Sequence, residues 1–197
     1  MQEQTNVKKA DIDVKYFLNI TARLLIICAV TALMLAGVNA LTADRIAANL
    51  AAEKAAAISA IFPEATNNEA VPEAPAGVEA VYLVFSGESM LGYAAEVAPL
   101  GFGGALNLMV GVNADGNLVG IQLISHSETP GLGSRVGEDS FLSQFRGKNI
   151  GTVNEGFDAI TGSTVSSDAV HAGVKTALGA YDKLFSENDA ITGGGAS

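Results

Sequence analysis

The segment ALNLMVGV-NADGN-LVGIQLI, residues 105–124, contains two apolar runs on either side of a short polar connection. Each run, 105–112 and 118–124, has the length and composition of a buried β-strand. An Asp-Gly pair inside a short polar connection is typical of a tight β-turn. The segment therefore predicts two antiparallel strands that are neighbours in one sheet.

A second pair of β-prone runs precedes this segment. VYLVF at residues 81–85 and LGYAAEV at residues 91–97 are separated by SGES at 86–89, which predicts a hairpin. Joined hairpins of this kind form an antiparallel sheet, here of at least four strands.

Helices are predicted after the strands. Residues 141–145 indicate a short helix, and a longer one follows Ser167, which can serve as its N-cap. Its apolar residues recur at helical spacing: Val170, Val174, Ala177, Leu178 and Tyr181. The expected fold class of this part is α+β, with an antiparallel sheet packed by helices.

An uncharged run of eighteen residues, LLIICAVTALMLAGVNAL, occupies positions 24–41. With residues 17–23 it gives a helix of about 25 residues, enough to cross a hydrocarbon core of about 30 Å. The alternatives are a buried core helix and a cleaved signal peptide, but a signal peptide has a shorter apolar stretch and no long polar lead. We expect a single transmembrane helix at residues 17–41.

Basic residues are concentrated before this run, where four of them lie: Lys8, Lys9, Lys15 and Arg23. The positive-inside rule then places residues 1–23 in the cytoplasm and the main domain on the outer side of a bacterial plasma membrane. We expect a helix and a linker at 42–80, the main domain at 81–188 and a flexible tail at 189–197.

Charge and cysteine content exclude several functions. From Thr42 onward the chain has 7 basic and 18 acidic residues, so its surface repels nucleic acid. The single cysteine, Cys28, lies in the expected membrane helix, which leaves the outer domain without a thiolate or a disulfide. Two isolated histidines, His126 and His171, do not make a metal site.

The segment DAITGSTVSS at residues 158–167 leads into the C-terminal helix. The first amides of a helix lack internal partners and carry partial positive charge, so this position attracts an anion such as phosphate. An ordinary helix cap is the alternative interpretation of such a Ser- and Thr-rich turn. Two glycine-rich loops accompany it, GFGG at 101–104 and HSETPGLG at 126–133, whose backbones can approach a planar ligand closely.

These three segments resemble, in the same order, motifs of the FMN-binding subunits of the Rnf and Nqr respiratory complexes, RnfG and NqrC. In that family, a Thr corresponding to Thr164 carries FMN through a phosphoester bond that a flavin transferase installs. Ser163 stands where Ala is commoner. The resemblance implies a full set of cofactor-binding residues: Thr164 as the anchor; Thr161, Gly162 and Ser163 in the phosphate turn; Thr129 and Leu132 beside the ring; Glu128, which orients the loop or the polar edge of the flavin; and Lys148 as a cation near the flavin pyrimidine.

The function that this resemblance implies is electron transfer. The chain would be a membrane-anchored flavoprotein subunit, similar to RnfG, of an Rnf-type ion-translocating ferredoxin:NAD oxidoreductase, with the other subunits as partners. Its length favours this type over the NqrC type, which belongs to a sodium-translocating NADH:quinone reductase. Two further alternatives are an anchored sensory domain that binds a phosphorylated ligand reversibly and a purely structural membrane subunit.

Overall fold

The structure of the protein is a computed structural model that describes residues 14–186. The chain divides into two compact units, Met1–Leu50 and Ala51–Ser197. The expected tail at 189–197 lies outside the described residues, as do the first thirteen residues of the expected cytoplasmic segment.

Helix α1 extends over Val14–Ile61, and its residues 14–50 make up the described part of the first unit. By length and composition it can cross a membrane. Large apolar side chains in this unit are exposed, among them Leu33, Leu35 and Leu41. A bilayer is the environment that would cover such a row of side chains.

The last turns of α1, from Ala51 onward, belong to the second unit. The helix predicted after the anchor is continuous with it, because no proline or glycine interrupts residues 42–61. The helix ends at Ile61, because Phe62 precedes Pro63 and the residue before a proline is disfavoured in helical conformation.

A five-stranded antiparallel sheet forms the centre of the second unit, with its strands in chain order. The strands are β1 (Asn67–Ala70), β2 (Ala80–Ser86), β3 (Ser89–Val97), β4 (Asn107–Asn113) and β5 (Leu118–Ser125). The β2–β3 hairpin and the β4–β5 pair confirm the strands expected from the sequence. In the turn between β4 and β5, the side chain of Asn113 accepts the N–H groups of Asp115 and Asn117.

Strand β1 was not predicted, because it lies in the segment expected to be a linker. Its four residues, Asn-Asn-Glu-Ala, have little intrinsic strand preference. Pairing with β2 holds it at the sheet edge, and hydrogen bonds from Thr66 to Phe85 and from Val71 to Val81 extend that pairing at both ends.

Apolar side chains cover both faces of the sheet. On one face, the end of α1 packs Ile58, Ile61 and Phe62 against Ala94 and Met109. The other face is larger and carries helix α3, Thr164–Ser186. Residues of the strands alternate between the two faces, which is why both sides of β3 and β4 are buried.

An ion pair joins the end of α1 to the sheet. Lys54 Nζ lies 2.7 Å from Glu96 Oε2, and both side chains are largely buried. The hydrogen bond to Glu96 raises the pKa of Lys54 above its usual value, because it stabilises the charged ammonium.

Between β5 and α3 the chain forms a 3-10 turn at Gly133–Gly137, helix α2 at Asp139–Leu142 and a second 3-10 turn at Ser143–Phe145. These elements match the short helix predicted near residues 141–145. Phe145 is fully buried and stacks on Phe157, so it fixes the chain that leads to α3.

Helix α3 begins at Thr164, whereas a cap at Ser167 implies a start four residues later, at Asp168. The cap prediction at Ser167 is therefore wrong. Its hydroxyl instead donates to the carbonyl of Ser163, one turn back, and accepts the N–H of Ile160. Because Ser167 is fully buried, these two bonds satisfy its hydroxyl inside the structure.

Candidate cofactor site

The start of α3 carries unpaired polar groups. Within residues 14–186, no hydrogen bond reaches the backbone N–H of Thr164, Val165 or Ser166. Such amides at the first turn of a 23-residue helix point outward with partial positive charge. The side chain of Thr164 is exposed here, so its hydroxyl is accessible.

Ser163 immediately precedes this turn. It is 5% exposed, and its Oγ has no hydrogen-bond partner within the described chain. A buried hydroxyl without a partner costs about 1–3 kcal/mol. In a native protein such a group calls for a partner that the polypeptide does not supply, and a ligand at the helix start is the nearest candidate.

Glu128 lies in the loop after β5 and is also 5% exposed. Its Oε1 accepts the N–H of Gly103 at 3.1 Å. A Cβ atom on Gly101 would come within 2.2 Å of Oε1, and one on Gly133 within 2.3 Å of Oε2. In its observed position the carboxylate needs the space that glycine leaves at both positions, and its bond to Gly103 ties the two glycine-rich loops together.

The turn at residues 101–104 is closed by a hydrogen bond from the N–H of Gly101 to the carbonyl of Gly104. Gly103 packs so closely on the Ser127 carbonyl that an added Cβ would lie 2.2 Å from its oxygen. This close approach holds Phe102 at the tip of the turn with 79% of its surface exposed.

A cleft of about 350 Å³ opens between these loops and the start of α3. Its lining residues come from all three sequence motifs: Phe102, Glu128, Thr129, Leu132, Gly133, Gly162, Ser163, Thr164, Val165 and Ser166. Two further apolar side chains at the cleft are solvent-exposed, Leu132 at 47% and Val165 at 54%. The cleft thus joins an anion-attracting helix start to exposed apolar surface suited to a planar ring.

Six of the eight residues expected to bind the cofactor lie together in this cleft: Glu128, Thr129, Leu132, Gly162, Ser163 and Thr164. Thr161 instead lines a second, polar cleft together with Gln144 and Asp158. Lys148 is not brought to either cleft. Its Nζ donates to the carbonyl of Glu155, and its role beside a flavin stays a prediction.

The cleft is also lined by three residues for which no role was predicted, Phe102, Val165 and Ser166. The signal for Phe102 was present, since an aromatic residue between glycines in a turn is free to contact a ligand. Val165 and Ser166 gave no signal of their own. Their position follows only from the observed start of α3 at Thr164.

Comparisons with known proteins agree with this geometry. The FMN-binding domain family matches residues 101–179, which include all three motifs. The G subunit of the Na(+)-translocating ferredoxin:NAD(+) oxidoreductase complex of Acetobacterium woodii is 33% identical, over 90% of this chain and 97% of that protein. This chain belongs to the RnfG family. A further relative, the G subunit of an ion-translocating oxidoreductase complex of Cereibacter sphaeroides, is 28% identical over 80% of this chain and 81% of its own length.

Among solved structures, NqrC of Shewanella oneidensis is similar to this chain, with 22% identity and a TM-score of 0.48 over 66% of this chain and 73% of that one. Because this likeness is weak, the family assignment rests on the RnfG-type relatives.

The residues present fit FMN. The unpaired amides and the orphaned Ser163 hydroxyl suit a phosphate, and the exposed Phe102, Leu132 and Val165 suit an apolar ring. A metal centre has no such support: residues 14–186 contain no group of three His, Cys, Asp or Glu side chains able to hold an ion.

Proposed function

We propose that the chain is the membrane-anchored electron-transfer subunit of an ion-translocating ferredoxin:NAD oxidoreductase complex, with FMN attached covalently to Thr164. Membership of the RnfG family supports the complex, and the FMN-binding domain supports the cofactor. The observation that carries the attachment site is the exposed Thr164 hydroxyl beside unpaired helix amides.

The residues of this chain bind and orient the cofactor. The N–H groups of Val165 and Ser166 and the hydroxyl of Ser163 would hold the phosphate, while Phe102 and Leu132 would contact the ring. FMN supplies the one- and two-electron redox chemistry that amino-acid side chains lack. Covalent attachment keeps the cofactor in place on a side of the membrane where no pool of free FMN would replace it.

Attachment requires a phosphoryl transfer to Thr164. In this step Thr164 Oγ1 forms a bond to the FMN phosphorus of a flavin dinucleotide, and the pyrophosphate bond of that donor breaks. The nucleoside monophosphate leaves, and the hydroxyl proton passes to a base of the transferase. No electrons are transferred. We propose a dinucleotide donor because its pyrophosphate provides a leaving group that free FMN does not have.

The membrane helix and the basic residues before it support a single-pass topology with a cytoplasmic N-terminus. The FMN-binding domain would then lie on the outer side of the bacterial plasma membrane. Its partners would be the other subunits of the complex and, during maturation, the flavin transferase. The NqrC-type subunit of a quinone reductase is the second interpretation, which the RnfG-type relatives make weaker.

The test is in-gel flavin fluorescence of the full chain after denaturing electrophoresis, with the transferase coexpressed. Wild type should give a fluorescent band and a mass increase equal to one FMN less one water. Thr164→Val should lose both completely, because the acceptor oxygen is gone. Thr176→Val is the matched control, since it removes a hydroxyl from the same helix that bonds only the Ala172 carbonyl.

Fluorescence that migrates away from the wild-type band on denaturation would contradict covalent attachment and favour a sensory domain that binds flavin reversibly. Retention of the full mass increase in Thr164→Val would place the ester on another residue. Complex activity that persists unchanged in Thr164→Val would favour a purely structural role for the chain.

A further inference from the structure

The turn at residues 158–163 leads to Thr164. Its first residue, Asp158, is held by the side chain of Gln144, which lies outside the motif at 158–167. Gln144 Oε1 accepts the backbone N–H of Asp158 at 2.9 Å, and its Nε2 donates to the Asp158 carbonyl at 3.3 Å. Across residues 14–186, no other hydrogen bond involves these two backbone groups of Asp158. The amide of Gln144 therefore pairs with Asp158 as a neighbouring strand would.

Gln144 is itself held firmly. Its Nε2 also donates to the carbonyl of Phe141 at 2.9 Å, and the next residue, Phe145, is fully buried. Phe145 stacks on Phe157, which directly precedes Asp158. The side chain that fixes the turn thus extends from a segment that packs into the core.

Ser167 fixes the other end of the same turn. Its hydroxyl accepts the N–H of Ile160 at 3.1 Å and donates to the carbonyl of Ser163 at 2.9 Å. Between these two attachment points, Thr161 and Gly162 are exposed. The turn therefore has defined ends and an exposed middle, and Thr164 follows directly after it.

We propose that Gln144 is a positioning residue for flavin attachment. This inference rests on the proposed function and adds a residue that is distant from the attachment motif along the chain. By fixing the Asp158 end, Gln144 keeps the turn in the conformation in which the transferase meets Thr164. An enzyme that binds one conformation of its target has its apparent affinity reduced by the fraction of molecules in that conformation.

The test measures attachment kinetics on the full-length chain, purified in detergent without its cofactor. Purified transferase and flavin adenine dinucleotide are added, and in-gel fluorescence follows the rate over a range of chain concentrations. Gln144→Met keeps the side-chain length and removes the hydrogen bonds. We expect the KM for this variant to rise about tenfold, with kcat within about twofold of wild type.

Gln144→Glu provides a second variant, because its carboxylate can still accept the Asp158 N–H but cannot donate to the carbonyl. Its KM should also rise above that of wild type, because the second carboxylate oxygen meets the carbonyls of Asp158 and Phe141 without a proton to donate. The matched control is Gln122→Met, a change at an exposed glutamine on β5. The control should have the wild-type KM.

Amide hydrogen exchange distinguishes a local loosening of the turn from a loss of global stability. Gln144→Met should accelerate exchange at Asp158, whereas exchange of the buried Val174 amide should be unchanged. A KM equal to that of wild type despite faster exchange at Asp158 would overturn the proposal. So would an equal rise of KM in Gln122→Met.

If Gln144→Met lacks a cooperative unfolding transition, that variant is not folded. The KM of Gln144→Glu then tests the proposal by the same criterion. A wild-type chain that takes up no flavin from an active transferase would overturn the proposed function and this inference together. A wild-type chain that is modified normally, with no change of KM in a folded Gln144 variant, would overturn this inference alone.

Discussion

The two ends of helix α3 differ in whether their polar groups have hydrogen-bond partners. At the first turn, three backbone amides and the buried Ser163 hydroxyl have no partner among residues 14–186. Toward the last turns, the Tyr93 hydroxyl donates to the Ala177 carbonyl at 2.8 Å, and the Tyr181 hydroxyl donates to the Ala114 carbonyl at 2.6 Å. The rings of Tyr93, Tyr181 and Phe185 also pack together there.

The contrast separates stability from function along one helix. The later turns bury aromatic surface and satisfy their hydroxyl groups, which stabilises the fold. The first turn exposes Thr164 and Val165 and leaves donors free, which provides little stability and suits a bound anion. Substitutions at the two ends should therefore have different consequences.

The largest stability difference is expected between Tyr93→Ala and Val165→Ala. Tyr93 is fully buried, so its truncation should lower the free energy of unfolding by about 3–5 kcal/mol. Val165 is 54% exposed, and its truncation should stay within about 0.5 kcal/mol of wild type. Urea unfolding of the chain in detergent measures both. Equal losses for the two variants would remove the distinction between the ends.

A closer comparison uses two buried serines in the same turn. Ser167→Ala removes two hydrogen bonds and leaves the Ile160 N–H unpaired, which should destabilise the cofactor-free chain by about 1–3 kcal/mol. Ser163→Ala removes an unpartnered hydroxyl, so the same chain should be unchanged or more stable. Thermal unfolding of the two variants distinguishes them. A loss of stability in Ser163→Ala equal to that in Ser167→Ala would mean that Ser163 has a partner within the chain.

The smallest expected effect is on how the free energy of unfolding depends on pH. Burial raises the pKa of Tyr93 well above its usual value of 10, with the charges of Tyr181 and Asp182 adding to the shift. The unfolded chain therefore loses this proton first, and the stability present below pH 10 is lost as the pH rises above it.

Tyr93→Phe removes that titration together with the hydrogen bond to Ala177. It should be less stable than wild type by about 1 kcal/mol at neutral pH. Above pH 10, its stability should fall less steeply, by about 1.4 kcal/mol per pH unit for the missing proton. Urea unfolding at a series of alkaline pH values measures the slope. Parallel slopes for the two proteins would show that Tyr93 titrates normally.

Local sequence patterns predicted most of the sheet, because strands β2 to β5 carry β-prone runs joined by short turns. Strand β1 could not be predicted in this way, since Asn67–Ala70 becomes a strand only through pairing with β2. The start of α3 was predicted at the wrong residue, because serine is a common N-cap residue and Ser167 was the expected cap. Its buried hydroxyl bonds one turn back instead, which depends on tertiary packing.

At the site, resemblance to a family identified residues that recur in motifs, and six of them share the cleft. The arrangement around those motifs was not predictable. Gln144 is fourteen residues from Asp158, and its role depends on how the second 3-10 turn packs. The crowding of Gly101 and Gly133 around the Glu128 carboxylate likewise requires the folded loops.

The end of α1 sets a limit on how the domain can be shortened. Ile61 and Phe62 cover Gly111 on β4 so closely that an added Cβ there would lie 2.3 Å from Ile61 and 2.7 Å from Phe62. A water-soluble fragment that began at Pro63 would leave this face of β4 open to solvent and prone to self-association. One that began at Ala51 would keep that cover and the partner of Glu96. The boundary between anchor and domain therefore falls inside a helix and not at the first proline after it.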